Sequence, residues 1–114
     1  MKLQPKRRKL IINILSIAIP ILLTIAIYFS LQIALDTDTP FVAVAGASMN
    51  PALEAGDLVI VKGIPATDIQ IEDIIVFDEP QGSRTIHRVT RIQTLQNGTI
   101  QFKTKGDANE DEDS

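Results

Sequence analysis

The sequence predicts a mostly β fold: one small β domain behind a single N-terminal transmembrane helix. Three observations lead there. Leu10 to Leu35 is an uninterrupted stretch without a charge, rich in Ile and Leu. Beyond it, short apolar runs alternate with clusters of Gly, Pro, Asp and Asn, the punctuation of strands and turns. Little sequence after residue 40 is left over for a helix.

Composition narrows the possibilities. Of 114 residues, about 35 belong to the N-terminal arm and apolar run, which leaves about 80 for a folded domain. That is one domain, near the size where a single hydrophobic core is marginal. The absence of cysteine excludes disulfides, thiolate catalysis and Cys-ligated metals, and a single histidine argues against a histidine-rich metal site. No cofactor or metal is expected. The net charge of −3 hides strong segregation: Lys2, Lys6, Arg7, Arg8 and Lys9 stand at one end, Asp107, Glu110, Asp111, Glu112 and Asp113 at the other. Residues 36–106 carry nine acidic and six basic side chains with no basic stripe, so nothing supports nucleic-acid binding.

Residues 1–9 form the basic segment. Residues 10–35, at about 1.5 Å each, would span roughly 39 Å as a helix against a hydrocarbon core of about 30 Å, enough to cross with tilt. Pro20 is expected to kink this helix, and Tyr28 to lie near the outer interface. A cleaved signal peptide is the competing reading, with Ala43-Val44-Ala45 as a small-x-small site. The apolar run is far longer than the usual h-region of about 7–15 residues, and the site lies well beyond it, inside an expected strand. An uncleaved anchor is therefore expected, with the basic end cytoplasmic and residues 36 onward on the extracytoplasmic side of the cell membrane.

Residues 36–40 read as a polar linker. Residues 41–106 read as the β domain. Strands are expected over Phe41–Ala45, Leu58–Lys62 and Ile74–Phe77, with Asp78–Ser83 a loop. Arg84–Leu95 alternates only partly, with Ile86, Val89 and Ile92 apolar. Asn97-Gly98 is a hairpin turn, and Thr99–Thr104 returns with Ile100 and Phe102 on one face. Asn97-Gly98-Thr99 also matches a glycosylation acceptor, though the turn alone explains those residues. Residues 107–114 read as a solvated acidic end.

The chemistry centres on Val44-Ala45-Gly46-Ala47-Ser48-Met49-Asn50-Pro51. Small residues crowd one hydroxyl, so a substrate carbonyl could approach Ser48, and a rigid turn could fix its Oγ and backbone N–H. Taken alone, this stretch reads first as a strand-to-turn connection with an ordinary serine. His87, between Ile86 and Arg88, could be a half-buried structural histidine. It could also be a base for Ser48, since an imidazole is available as a neutral base near neutral pH. The two lie 39 positions apart, a contact only a fold can make.

Further stretches succeed it in order: Gly56-Asp57-Leu58-Val59-Ile60-Val61, Asp73-Ile74-Ile75-Val76-Phe77, Ile86-His87-Arg88-Val89, and Lys105-Gly106-Asp107-Ala108-Asn109. With the basic end, the apolar run and the Ser48 stretch, they resemble a type I signal peptidase. The version with His87 resembles the archaeal and endoplasmic-reticulum branch, where histidine replaces the lysine base of most bacterial enzymes. The resemblance covers roughly residues 10–113. It implies a small signal-peptidase-like β domain, Ser48 as nucleophile, His87 as general base, Asp113 as the acid orienting the imidazole, and Asp107 as a structural or supporting carboxylate. It departs at Gly46, where many bacterial relatives carry a hydroxyl residue, so the Ser48 N–H would bear more of the oxyanion. It departs again at Glu72, where relatives commonly have glycine, a difference expected to matter little.

The function so implied is a membrane-bound serine endopeptidase that removes signal peptides from secreted preproteins. Its partners would be preprotein segments with small residues before the cleavage site, the lipid bilayer, and accessory subunits. The alternatives are a self-processing regulatory protease of related β fold, against which the anchor argues, and a catalytically silent or truncated anchored β domain that binds rather than cuts. Relatives continue beyond the position of Ser114, so the acidic end is expected to fray, to hold Asp113 poorly and to leave the chain with weak activity.

Overall fold

Pro5 opens the first element because its fixed φ and missing N–H suit the first helical position. The computed structural model describes residues 4–114 and makes Pro5–Ala34 one continuous helix, α1. Lys2 of the basic segment lies outside the described residues. The helix therefore starts five residues before the uncharged run, since Lys and Arg are good helix formers. Pro20 lies within it without ending it, and the Thr24 hydroxyl donates to the Pro20 carbonyl at 2.9 Å. Thirty residues give about 45 Å. No side chain of α1 is buried against protein, and its most apolar window has a mean hydropathy of 2.7. Among the described residues it is the one helix long and apolar enough to cross a membrane.

The helix ends in a Schellman-type cap. The N–H of Thr37 donates to the Gln32 carbonyl and that of Asp36 to Ile33, with Asp36 in the left-handed region at φ 51°. The linker is tied to the last turns of α1: the Gln32 side-chain amide donates to the Asp38 carbonyl at 2.8 Å. Gly63 completes the join. Its N–H donates to the Leu35 carbonyl at 2.7 Å, and a Cβ at this position would lie 2.0 Å from the Asp36 carbonyl oxygen. Only glycine permits that approach.

The β domain has two antiparallel sheets. In the first, β1 (Phe41–Ala43) pairs with β2 (Leu58–Ile60), Val42 opposite Val59. Both strands are shorter than expected from the apolar runs. Val44 still bonds Asp57 and Gly56, after which the small residues Ala45 to Ala47 lead the chain out of the sheet. A single 3₁₀ turn, Ala66–Asp68, precedes the second sheet. There β4 (Arg84–Thr94) lies between β3 (Ile74–Asp78) and β5 (Ile100–Lys105).

The β4–β5 register jumps between Val89 and Arg91, which makes Thr90 the extra residue of a bulge. Val89 pairs with Thr104 before it, and Ile92 with Phe102 after it. The bulge swaps which parity of β4 faces inward, the physical reason the alternation there is only partial. At the hairpin, Gly98 has φ 86° and the Asn97 side-chain oxygen accepts the Thr99 N–H at 2.9 Å, so the turn uses all three residues. The core is small: Met49 and Val89 are fully buried, Val44 nearly so, and His87 and Thr104 are the buried polar side chains.

Candidate active site

Ser48 is positioned by the residue after it. Met49 is 1% exposed and plugs the core, which turns the preceding hydroxyl toward the surface, half-buried. The turn is closed by the Asn50 N–H donating to the Ala47 carbonyl and that of Leu53 to Met49. The Ser48 carbonyl is also held, accepting the Ala108 N–H at 2.8 Å. Its own N–H makes no hydrogen bond among the described residues, so it is free to receive an oxyanion.

His87 comes from the middle strand, opposite Ile75 on β3, and is buried. The Phe77 and His87 rings stand edge to face, with centroids 6.5 Å apart. Nε2 lies 3.2 Å from Ser48 Oγ. Nδ1 lies 2.5 Å from Asp113 Oδ2. An ionised carboxylate only accepts, so with Asp113 in that form the proton would sit on Nδ1 and Nε2 would turn its lone pair to the serine. The fold thus brings Ser48, His87 and Asp113 into one line.

The acidic end is held, not frayed, and opposite charge on β4 is the reason. The Asp113 N–H donates to the Thr104 carbonyl at 2.7 Å, and the Thr104 hydroxyl donates to Asp113 Oδ2 at 2.6 Å. Glu112 accepts from the Thr90 hydroxyl at 2.7 Å and pairs with Arg91. Asp107 receives Arg88 in two-pronged fashion at 2.9 and 2.8 Å, while a third nitrogen of Arg88 donates to the Glu72 carbonyl. Asp107 is thus bonded to Arg88 and lies beside the site instead of in the Ser48–His87–Asp113 line. The Arg88 guanidinium holds the Asp107 carboxyl below the usual carboxylate range, and Arg91, then Thr90, do the same for Glu112.

Gly106 sits where three parts of the site converge. A Cβ there would lie 2.7 Å from the Ser48 carbonyl oxygen, 2.7 Å from the Asn109 amide nitrogen and 3.0 Å from His87 Nε2. Thr104 is the part of the site that the sequence motifs miss. The signal was available: Ile100, Phe102 and Thr104 share one face of β5, so a polar residue at an inward position asks for a partner. A cleft of about 680 Å³, lined in part by Leu53, Val59, Ile64, Ile74, Val76 and Ile86, includes none of Ser48, His87 or Asp113.

A hydroxyl, an imidazole, a carboxylate and a backbone N–H in this arrangement are a set that can perform acyl transfer. Comparison with known proteins points the same way. A family model described as Peptidase S24-like matches residues 14–113. The chain is 32% identical over 108 residues to the signal peptidase complex catalytic subunit SEC11C of Homo sapiens, covering 94% of this chain and 56% of that protein. It is 34% identical over 84 residues to the putative catalytic subunit SEC11B of Homo sapiens, covering 73% and 50%. To the catalytic subunit sec11 of Pyrenophora tritici-repentis it is 30% identical over 103 residues, covering 90% and 59%. The chain spans about half the length of the curated relatives it matches.

Proposed function

This chain belongs to the Peptidase S24-like family, and from that premise we propose that it is a membrane-anchored serine endopeptidase that removes signal peptides from preproteins. The observation that carries the reading is the line Ser48 Oγ, His87 Nε2, His87 Nδ1, Asp113 Oδ2, with gaps of 3.2 and 2.5 Å.

In the reaction, Ser48 Oγ attacks the scissile carbonyl carbon as its proton passes to His87 Nε2. The carbonyl oxygen becomes an oxyanion that the Ser48 N–H stabilises. Asp113 keeps the proton on Nδ1 and offsets the charge of the imidazolium that forms. His87 then protonates the leaving amine, the C–N bond breaks, and an acyl ester remains on Ser48. Water, deprotonated by the same nitrogen, hydrolyses the ester and restores the hydroxyl. Gly46 brings no hydroxyl to the oxyanion, so the backbone donor bears that load.

The substrate is an extended segment with small residues before the scissile bond. Among the described residues β1 is paired only with β2, so its other edge is available for such a segment to add as a strand, and Ala45 to Ala47 leave room beside it. Helix α1 crosses the cell membrane with the basic end cytoplasmic and the β domain outside, which keeps Ser48 near the bilayer surface. Accessory subunits belong to this reading because the similar SEC11 proteins are named as subunits of a signal peptidase complex.

The test is incubation of the full chain, in detergent or lipid, with a preprotein, following appearance of the mature product. Ser48→Ala and His87→Ala should each abolish cleavage, and the double variant should lose little more, because the two act as a unit. Near-normal cleavage by His87→Ala would make the histidine structural. In intact membranes, protease added outside should digest the β domain and spare the first ten residues; digestion of that basic end instead would reverse the topology.

A further inference from the structure

The imidazole is oriented by Asp113, but Asp113 belongs to no strand or helix, and its own placement needs a cause. We propose that Thr104 is that cause: it acts as a positioning residue that fixes the Asp113 carboxylate against His87 through two separate bonds. This inference rests on the proposed serine-peptidase reading of the site.

The first bond sets where Asp113 is. Its N–H donates to the Thr104 carbonyl at 2.7 Å, which ties its backbone to β5. The second sets how its side chain is turned. The Thr104 hydroxyl donates at 2.6 Å to Oδ2, the same oxygen that faces His87 Nδ1 at 2.5 Å, while Oδ1 makes no hydrogen bond among the described residues. A carboxylate rotates about a broad, roughly two-fold torsion, so a backbone tether alone leaves its orientation open. With two donors on one oxygen, the rotation is fixed. Because the ionised carboxylate has no proton, Thr104 is necessarily the donor in that bond.

Thr104 is suited to the task by its own surroundings. It is 7% exposed, so water competes little for its hydroxyl. It stands opposite Val89 on β4, the strand that carries His87. The position of Asp113 is thereby referred to the same sheet as the imidazole. Pairing of Glu112 with Arg91 and Thr90 tethers the neighbouring residue to that strand as well.

The test compares Thr104→Val, which keeps the shape and removes the hydroxyl, with Thr104→Ser, which keeps the hydroxyl. One readout is preprotein cleavage by the full chain in detergent, in the native and Asp113→Asn backgrounds. The other is the Nδ1–H signal of His87 in proton NMR, a single signal because the chain has one histidine. Thr104→Val should lower kcat/KM about tenfold, the effect of one hydrogen bond to a charged group. It should also lose the protected Nδ1–H signal. Thr104→Ser should restore both. In the Asp113→Asn background, Thr104→Val should cost nothing further, whereas a purely structural role would cost the same in both backgrounds. Unchanged signal and turnover in Thr104→Val, equal losses in both backgrounds, or failure of Thr104→Ser to restore either readout would overturn the inference. Absence of the protected signal in the native chain, or full cleavage by Asp113→Asn, would instead overturn the reading of Asp113 on which it rests.

Discussion

Replacing Gly106 with alanine is the most direct physical probe of the site. The backbone at Gly106 is not left-handed, so the substitution adds volume without torsional strain. The added Cβ would stand 2.7 Å from the Ser48 carbonyl oxygen, where ordinary contact begins at 3.4 Å. Something must therefore move by ~0.7 Å. The Ser48 carbonyl cannot retreat freely, because it accepts the Ala108 N–H at 2.8 Å and its neighbour Met49 fills the core. His87, 3.0 Å from the same Cβ, is held from behind by Asp113. Relief comes most easily by spreading Ser48 from His87, whose 3.2 Å gap is already near the limit of a useful hydrogen bond. Overpacking of this kind costs about 1–3 kcal/mol of stability. A misplacement approaching 1 Å at reacting groups costs on the order of 100-fold in rate. Preprotein cleavage and thermal unfolding of Gly106→Ala should show both losses, with turnover hit harder than melting. A variant that melts lower yet cleaves at the native rate would refute the idea that Gly106 sets the Ser48–His87 gap.

Two other outcomes arise from backbone and charge. Glu72 has φ 82°, a left-handed conformation that costs an ordinary residue about 1–2 kcal/mol, so Glu72→Gly should raise stability by about 1 kcal/mol in chemical denaturation; no gain would mean that the Glu72 side chain offsets the strain. Asp107 and Glu112 both have folded-state pKa values held below their unfolded values of about 3.9 and 4.3, so their contribution is complete above those values and is lost as pH falls through the folded ones. The melting temperature should be flat from neutral pH to about 5, then fall below about pH 4, and Asp107→Asn combined with Glu112→Gln should flatten that fall.

Glu72 shows where the sequence was legible and where a detail was misjudged. A glutamate in place of the glycine common in relatives was expected to matter little, but the position demands positive φ, a property of the backbone that a side-chain comparison hides. The larger pattern was legible because it rests on simple physics. An uncharged run of that length has few fates, and Asn97-Gly98 announces its turn. Strand ends differ from the expected ones by one or two residues, since apolar runs mark burial and not pairing. The bulge at Thr90 could be inferred from the broken alternation between Val89 and Ile92, though not its partner.

The acidic end was the least legible part, and the reason bears on the site. Read along the chain, Glu110 to Asp113 are four like charges in a row, which repel and favour an extended, solvated tail. Read through the fold, the repulsion is answered by groups twenty or so positions earlier. Arg88, Thr90 and Arg91 line one stretch of β4 and bind Asp107 and Glu112, so the charges that flank Asp113 are neutralised where they are needed. Glu110 and Asp111 stay exposed, where water screens them. The bulge contributes directly: the hydroxyl of Thr90, the extra residue, donates to Glu112 at 2.7 Å and stands 3.1 Å from the Lys103 carbonyl oxygen. The histidine and the clamp on its acid thus come from one strand and its neighbour. His87 faces inward beside Ser48 while residues one to four positions on gather the acidic stretch, and that coupling holds the Asp113 carboxylate against His87 among like charges that would otherwise drive it into solvent.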